Sequence, residues 1–495
     1  MSCSHRRESL ALIAVLGPDV AVARTLTELA DPPHTRRVES ERPARVAAAS
    51  SETTFGYWER KNDEVALLRE HLGIDGGPAI VTVPDLVREK QYLRAQMIAG
   101  FITSHPHLTE SNLGNPGGDP GIEVDGASLG FNYQRYDMSL RRKPFAPWIY
   151  PTLASRRLCS LGFLCTSGMS AVTAVLTALD LIHGEVRPLY LAPDTYFETR
   201  QFVRDYLYQL KPVSELPAVL VRCGVLVLDS ICHVDPLARL GACALDALCA
   251  VVLDTTCYDV SAPEIERVVE RCRAEGVPCV LVRSHLKIDT LGLEYGRLGS
   301  IVIVLPRPCQ GSRARFVRHL RRRISDFLIK TGTGFSISSY FPLSSHPTFR
   351  RLNGRRNAVM RDNNLRCAAA LSEIVHPRSE VRVVAYHHGR FLFLHTPSGD
   401  PSRRHAGALT HALLEAGICA RPAPSFGYDF TSITRLTGPS FLNGDNLRVS
   451  LPDFSAEELE LCIETIARFA IDRFPAQPAT QPAAQPPAQL TSNST

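Results

Sequence analysis

Six short apolar runs alternate with amphipathic stretches between residues 130 and 310, and this alternation constrains the fold more than any other feature of the chain. The runs cover 163–167, 188–193, 224–230, 249–256, 278–284 and 300–305. They are apolar almost throughout rather than at every second position, as strands covered on both faces are. Stretches 169–182, 198–210 and 262–276 carry apolar residues at three-to-four spacing and predict intervening helices. Strand and helix in repetition argue an α/β domain around a mainly parallel sheet. Ligands of such sheets bind at the carboxyl ends of the strands. Ser167, Asp194, Asp229, Asp254, Ser284 and Lys287 all fall at such ends.

The flanks divide the rest. Residues 1–129 read as an N-terminal extension, polar and loosely ordered at first and helical in pattern over 56–105. Residues 130–340 form the large domain. Residues 341–474 predict a smaller C-terminal α+β domain, with strands at 381–387 and 391–396 and helices at 405–417 and 455–470. Residues 475–495, rich in Pro, Gln and Ala, are expected to be disordered. No apolar run is long enough to span a membrane. With net charge +5 and Arg dispersed, no block is rich enough to argue nucleic-acid binding. Fourteen Cys without CxxC pairs suggest reduced thiols in a cytoplasmic protein, with no disulfide framework or metal site. His387-His388 lacks a third ligand at suitable spacing and reads as a strand-end pair. The apolar run after His5-Arg6-Arg7 has a faint signal-peptide shape, but Pro18-Asp19 interrupts it.

Lysine is scarce. Of 55 basic residues only Lys61, Lys90, Lys143, Lys211, Lys287 and Lys330 are Lys, so a retained lysine prompts a question about amine chemistry that Arg cannot perform. Five of them sit in polar contexts. Lys287 alone follows a buried-looking strand, where burial would lower its pKa and make it a nucleophile.

Cys165-Thr166-Ser167-Gly168-Met169 ends a strand and opens a helix. Backbone N–H groups at a helix start, with a glycine for close approach, make an anion site. Asp194-Thr195-Tyr196 ends the next strand, Asp254 a later one and Lys287 another. A phosphate seat, an aromatic ring, a carboxylate and a lysine on one sheet edge are what pyridoxal 5'-phosphate needs. The carboxylate keeps the pyridine nitrogen protonated, and the lysine forms the Schiff base.

In these residues the chain resembles the Cys/Met-metabolism group (cystathionine synthase/lyase, methionine γ-lyase) of fold-type I pyridoxal-phosphate enzymes. Ser167-Gly168-Met169 is similar to that family's SGM phosphate turn. Asp194-Thr195-Tyr196-Phe197-Glu198-Thr199 resembles D-x-Y-G-G-T, which implies Tyr196 as the aromatic on the ring. Val252-Leu253-Asp254-Thr255-Thr256 resembles V-D-N-T, with Asp254 on the pyridine nitrogen. Ser284-His285-Leu286-Lys287 resembles S-x-T-K, with Lys287 as the cofactor lysine. Tyr133-Gln134-Arg135 resembles Y-S-R, which in the family reaches a neighbouring subunit's phosphate and implies a homodimer or homotetramer. Asn446-Leu447-Arg448-Val449-Ser450 resembles R-x-S-v-G, with Arg448 on the substrate carboxylate. Ser425-Phe426-Gly427 stands where the family has S-L-G. The resemblance implies a large, mostly parallel seven-stranded sheet and elimination or replacement at the β or γ carbon of a homoserine- or homocysteine-type amino acid, as in trans-sulfuration.

Departures leave alternatives open. Leu286 replaces a phosphate-binding Thr, Thr255 an Asn, and Phe197 and Glu198 two glycines. His233 or Asp235 stands near the position of an Asn that contacts the ring hydroxyl. Asp229 is an alternative partner for the pyridine nitrogen. Transamination, decarboxylation, aldol-type chemistry and a non-catalytic member of the fold are the competing readings.

Overall fold

Alternating side-chain direction along a strand places Val280 and Leu281 on opposite faces of a sheet. Both are fully buried, which requires cover on both sides. The computed structural model describes residues 52–104, 122–124, 127–129, 149–150, 153, 158–183, 185–214, 220–241, 244–306, 311–334, 341–344, 346–376, 378–396, 403–436 and 445–476. Its large sheet holds β3 (Leu158–Cys165), β4 (Arg187–Leu191), β5 (Leu210–Val213), β6 (Val225–Asp229), β7 (Ala250–Asp254), β8 (Cys279–Ser284) and β9 (Gly299–Pro306) in the spatial order β3-β9-β8-β7-β6-β4-β5. A separate hairpin pairs β1 (Ile122–Val124) with β2 (Ala127–Leu129). Only β9 runs against the other strands of the large sheet. The fold is therefore α/β with a mostly parallel seven-stranded sheet. All six sequence-predicted strands are present. The seventh, β5, was not foreseen because Leu210-Lys211-Pro212-Val213 is short, broken by Lys and Pro, and at the sheet edge.

One sheet face packs Val225, Val252, Val280 and Ile301 against α3 (Gly168–His183) and α7 (Gly311–Thr331). The other packs Leu226, Leu253, Leu281 and Val302 against α6 (Pro263–Ala274). Each such Val or Leu contributes about 1.5–3 kcal/mol by burial. Short helices α4 (Phe197–Tyr206) and α5 (Pro236–Leu240) cover connections on the carboxyl side.

Beyond the long α8 (Pro347–Val375), a five-stranded sheet runs β10-β11-β14-β13-β12. Its strands are β10 (Arg382–Ala385), β11 (Leu392–Thr396), β12 (Ala420–Pro422), β13 (Thr431–Leu436) and β14 (Asp445–Ser450). It shares a core with α8, α9 (Arg403–Glu415) and α10 (Ala456–Arg473).

Helices α1 (Thr54–His71) and α2 (Val83–Ser104) are not an appendage. Leu68, Leu86 and Leu93 are fully buried against Leu291, Leu293, Phe341 and Phe349. Lys61 and Lys90, polar in sequence context, are buried in the same place at 0% and 1% exposed. Arg60, Lys61, Lys90 and Arg356 face Glu52, Glu64, Asp429 and Asp453 in one buried ionic cluster. Arg60 and Glu64 join the cluster from the sequence around Lys61, whereas Lys90 reaches it through the distant Glu64 and Asp429. No helix among the described residues is long and apolar enough to cross a membrane, and no group of described residues could hold a metal ion.

Candidate active site

The anion seat forms where β3 ends. Ser167 Oγ accepts from Ser170 N at 3.0 Å, which caps α3 and leaves its first N–H groups facing the strand ends. Close approach is enforced by glycine. A Cβ on Gly168 would lie 2.7 Å from Ser284 Cβ, and one on Gly299 would collide with the Ser167 carbonyl. The turn is thereby pressed onto the end of β8, beside Ser284. Met169 reaches back toward α4, its sulfur 4.0 Å from Thr199 Oγ1. Thr166 N donates to Thr333 O at 3.0 Å, so the segment after α7 borders the seat.

Two carboxylates stand side by side at the next strand ends, since Asp229 and Asp254 are paired in register across β6 and β7. Burial raises both pKa values, and Asp254 raises that of Asp229 further. Asp229 accepts Tyr196 N at 3.0 Å and Ile231 N at 2.9 Å, so both its oxygens are committed to backbone. Asp254 accepts Thr256 N at 2.8 Å and feels the charges of Arg283 and Lys287. The first of these bonds makes Asp229 the brace that fixes Tyr196 at the start of α4. Burial, with Glu198 adding, pushes the Tyr196 phenol well up, so it stays protonated.

Lys287 lies three residues beyond β8. Burial lowers its ammonium pKa, and the nearby Arg448 guanidinium lowers it further. Its Nζ donates to Ser425 Oγ at 3.2 Å and sits 4.8 Å from the Phe426 ring centre. Gly427, at φ +91°, passes so close to the Lys287 carbonyl that a Cβ would clash with it. Arg448 lies on β14, is 5% exposed and has a pKa brought down by burial to about 10. One terminal nitrogen donates to Ser425 O at 3.1 Å, and Nε has no hydrogen-bond partner. Among the described residues no carboxylate pairs with Arg448. A buried guanidinium with an unbonded Nε beside a buried lysine is chemically suited to an anion.

The structure thus brings Ser167, Gly168, Met169, Ser284, Tyr196, Asp254, Lys287, Ser425 and Arg448 to one side of the sheet. Tyr133 and Arg135 lie outside the described residues. Asp235 does not contribute a site group: its Oδ1 accepts Leu237 N at 2.9 Å and caps α5. His233 is anchored through its backbone N to Asp194 Oδ2 at 2.7 Å, with its ring edge-on to Tyr386.

Sequence reasoning missed the support around Lys287. Arg283 is fully buried, pairs twice with Asp289 at 2.6 and 2.7 Å, and donates to Tyr258 O at 2.8 Å. His285 completes this support, with Nδ1 2.8 Å from Asp289 and Nε2 2.8 Å from Ser300 Oγ. It stiffens the turn between β8 and Lys287. The scarcity that singled out Lys287 applies equally to Lys61 and Lys90. Lys90 Nζ donates to Leu291 O at 2.7 Å and Asp429 Oδ2 at 2.9 Å, which brackets both segments that meet at Lys287.

No family model matches the chain, and no curated protein does. Among solved structures it is similar to a putative O-acetylhomoserine (thiol)-lyase from Campylobacter jejuni, solved with N'-pyridoxyl-lysine-5'-monophosphate. That likeness has 13% identity and TM-score 0.44, covering 68% of this chain and 86% of the other. The metB protein of Corynebacterium glutamicum gives 14% identity and TM-score 0.47, covering 76% and 98%. An aromatic amino acid aminotransferase from Burkholderia cenocepacia gives 11% identity and TM-score 0.42, covering 76% and 87%.

Proposed function

We propose that this chain is a pyridoxal-phosphate-dependent enzyme of the fold-type I class acting on an amino acid, by elimination or replacement at a β or γ C–S or C–O bond of a homoserine- or homocysteine-type substrate. The observation that carries the reading is Lys287. It is buried, lowered in pKa, and held between Ser425, Phe426 and a cation that lacks a carboxylate partner.

The residues present fit the cofactor. The seat of Ser167, Gly168, Met169 and Ser284 suits its phosphate, because Gly168 lets the start of α3 and its N–H groups lie against Ser284, beside the Ser167 hydroxyl. Asp254 suits the pyridine nitrogen, since a buried acid with a raised pKa gains most from a cationic N–H. Asp229 braces Tyr196, whose ring offers the aromatic face. When bound, the cofactor supplies an electron sink for the pair released at the substrate's α carbon. Arg448 clamps the α-carboxylate with its free edge. Lys287 takes the α-proton, a role that its lowered pKa favours. Tyr196, kept protonated, donates to the leaving sulfur or oxygen. Tyr133 and Arg135 would complete the phosphate site of a neighbouring copy, which makes the enzyme a homodimer or homotetramer.

The test is spectroscopic and chemical. Protein loaded with pyridoxal phosphate should show a visible band that Lys287→Ala abolishes. Amino acids with sulfur or acylated oxygen at the β or γ carbon should release keto acid or the replacement product. Absence of the band, or equal turnover by Lys287→Ala, would sink the proposal.

A further inference from the structure

Behind the turn that carries Lys287, with His285 and Asp289 in its lining, lies a cavity of about 390 Å³, within the range of small-ligand pockets. It opens between the start of α8, the loop 288–298 and the turn 259–261. Lys287, Asp254, Ser425 and Arg448 do not line it. One wall is aromatic: Tyr295 and Phe341 meet edge to face at 5.2 Å, and Phe341 and Phe349 at 4.9 Å.

The polar groups of its lining are unusual. Tyr295 OH, Thr290 Oγ1, Asn357 Oδ1 and Asp259 Oδ1 are buried atoms without a hydrogen-bond partner, and all four residues line this cavity. Tyr295, Thr290 and Asn357 are only 1%, 2% and 2% exposed. Buried polar atoms are ordinarily satisfied, so several orphans on one cavity point to something that occupies it. Their character can be assigned. Asn357 Nδ2 donates to the Ile288 carbonyl at 3.1 Å, which turns Oδ1 toward the cavity as an acceptor. Arg390 takes Asp259 Oδ2 at 3.0 Å, which leaves Oδ1 as a second acceptor on a carboxylate already neutralised. Asp289, also in the lining, is committed to Arg283 and His285. The cavity therefore offers two acceptors, two hydroxyls, an aromatic wall and no uncompensated charge among these groups.

We infer that this cavity binds a small neutral aromatic compound bearing an O–H or ring N–H donor, at a site separate from the catalytic one. The inference stands whether or not the proposed chemistry holds. Phenol and indole are suitable probes, because neither is a primary amine and neither can condense with a cofactor aldehyde. Titration of the full chain by calorimetry or ligand-observed NMR should give saturable binding, with toluene, which lacks a donor, at least about tenfold weaker.

Gly354 supplies the decisive variant. It lines the cavity, and a Cβ there meets nothing within 4 Å. Gly354→Leu improves helix propensity while filling the cavity, so folding is retained. It should weaken both probes about tenfold or more, and Asn357→Leu should weaken them by losing an acceptor. The inference is overturned if neither probe saturates, if toluene binds as well as phenol, or if Gly354→Leu leaves binding unchanged. It is overturned too if that variant changes oligomeric state, since the cavity would then be a subunit contact filled by a second copy.

Discussion

Replacing Lys90 by Met tests whether the buried ionic cluster holds the active-site loops. Lys90 Nζ lies 2.6 Å from Glu64 Oε2, 2.9 Å from Asp429 Oδ2 and 2.7 Å from the Leu291 carbonyl, and the residue is 1% exposed. Burial lowers its pKa against the pull of Asp429 and Glu64. Leu291 adopts φ +52°, a left-handed conformation unfavourable for a branched residue, so its carbonyl is presented by a turn that needs fastening. Removing one partner of a buried ion pair costs about 3–5 kcal/mol, because the remaining charges lose compensation. At about 2 cal/mol/K of unfolding entropy per residue, a chain of 495 residues changes by about 1 kcal/mol/K, so the melting midpoint should fall by about 3–5 °C. Differential scanning calorimetry reads this directly. Lys90→Met/Glu64→Gln removes a charge of each sign and should recover part of the loss, with a coupling of about 0.5–3 kcal/mol. An unchanged midpoint in the single variant, or purely additive losses in the double, would refute the view that these charges act as one unit.

Three further outcomes follow from the site. Arg448→Gln should raise KM for amino-acid substrates by roughly 10–100-fold, the worth of a charge-assisted carboxylate contact, with a smaller effect on kcat; an unchanged KM assigns the carboxylate elsewhere. Asp229 is raised to about 8 with Asp254 beside it; an acid with a raised folded pKa stabilises the fold most below its unfolded value of about 3.9 and loses that contribution as pH rises toward the folded value. Cofactor-free protein should therefore lose stability across that window in thermal melts, and Asp229→Asn should flatten the slope. Gly427→Ala places a methyl against the Lys287 carbonyl at φ +91°; it should destabilise the protein by about 1–3 kcal/mol and displace Lys287, seen as weaker cofactor uptake at an unaltered secondary-structure signal.

The sheet strands were legible because strands covered on both faces have to be apolar across their covered length, and 249–253 and 278–282 are. The short polar β5 carries no such signature. Seven site residues at strand ends were legible through their order along the chain: a turn, a tyrosine, an acid and a lysine converge only if a parallel sheet aligns them. What composition could not reveal was destination. Lys61 and Lys90 stand among charged neighbours in sequence, yet Glu59, Asp63 and Arg88 stay exposed while the lysines turn inward to Glu64, Asp429 and Asp453. Asp235 looks like a ring contact by position, yet the start of a five-residue helix needs its carboxylate more directly. His285 could have been an acid or base by its place beside Lys287, but both its ring nitrogens are engaged with Asp289 and Ser300.

The ionic cluster also sets an order of assembly. Lys61 finds Asp429 and Asp453 at sequence separations of 368 and 392, and Lys90 finds Asp429 at 339. At about 5–20 residues per second of synthesis, the two early helices wait roughly 20–80 s before their late acidic partners exist. Their lysines must stay in water until then. The first-made part of the described chain can therefore close over the interior only after nearly the last-made part has arrived.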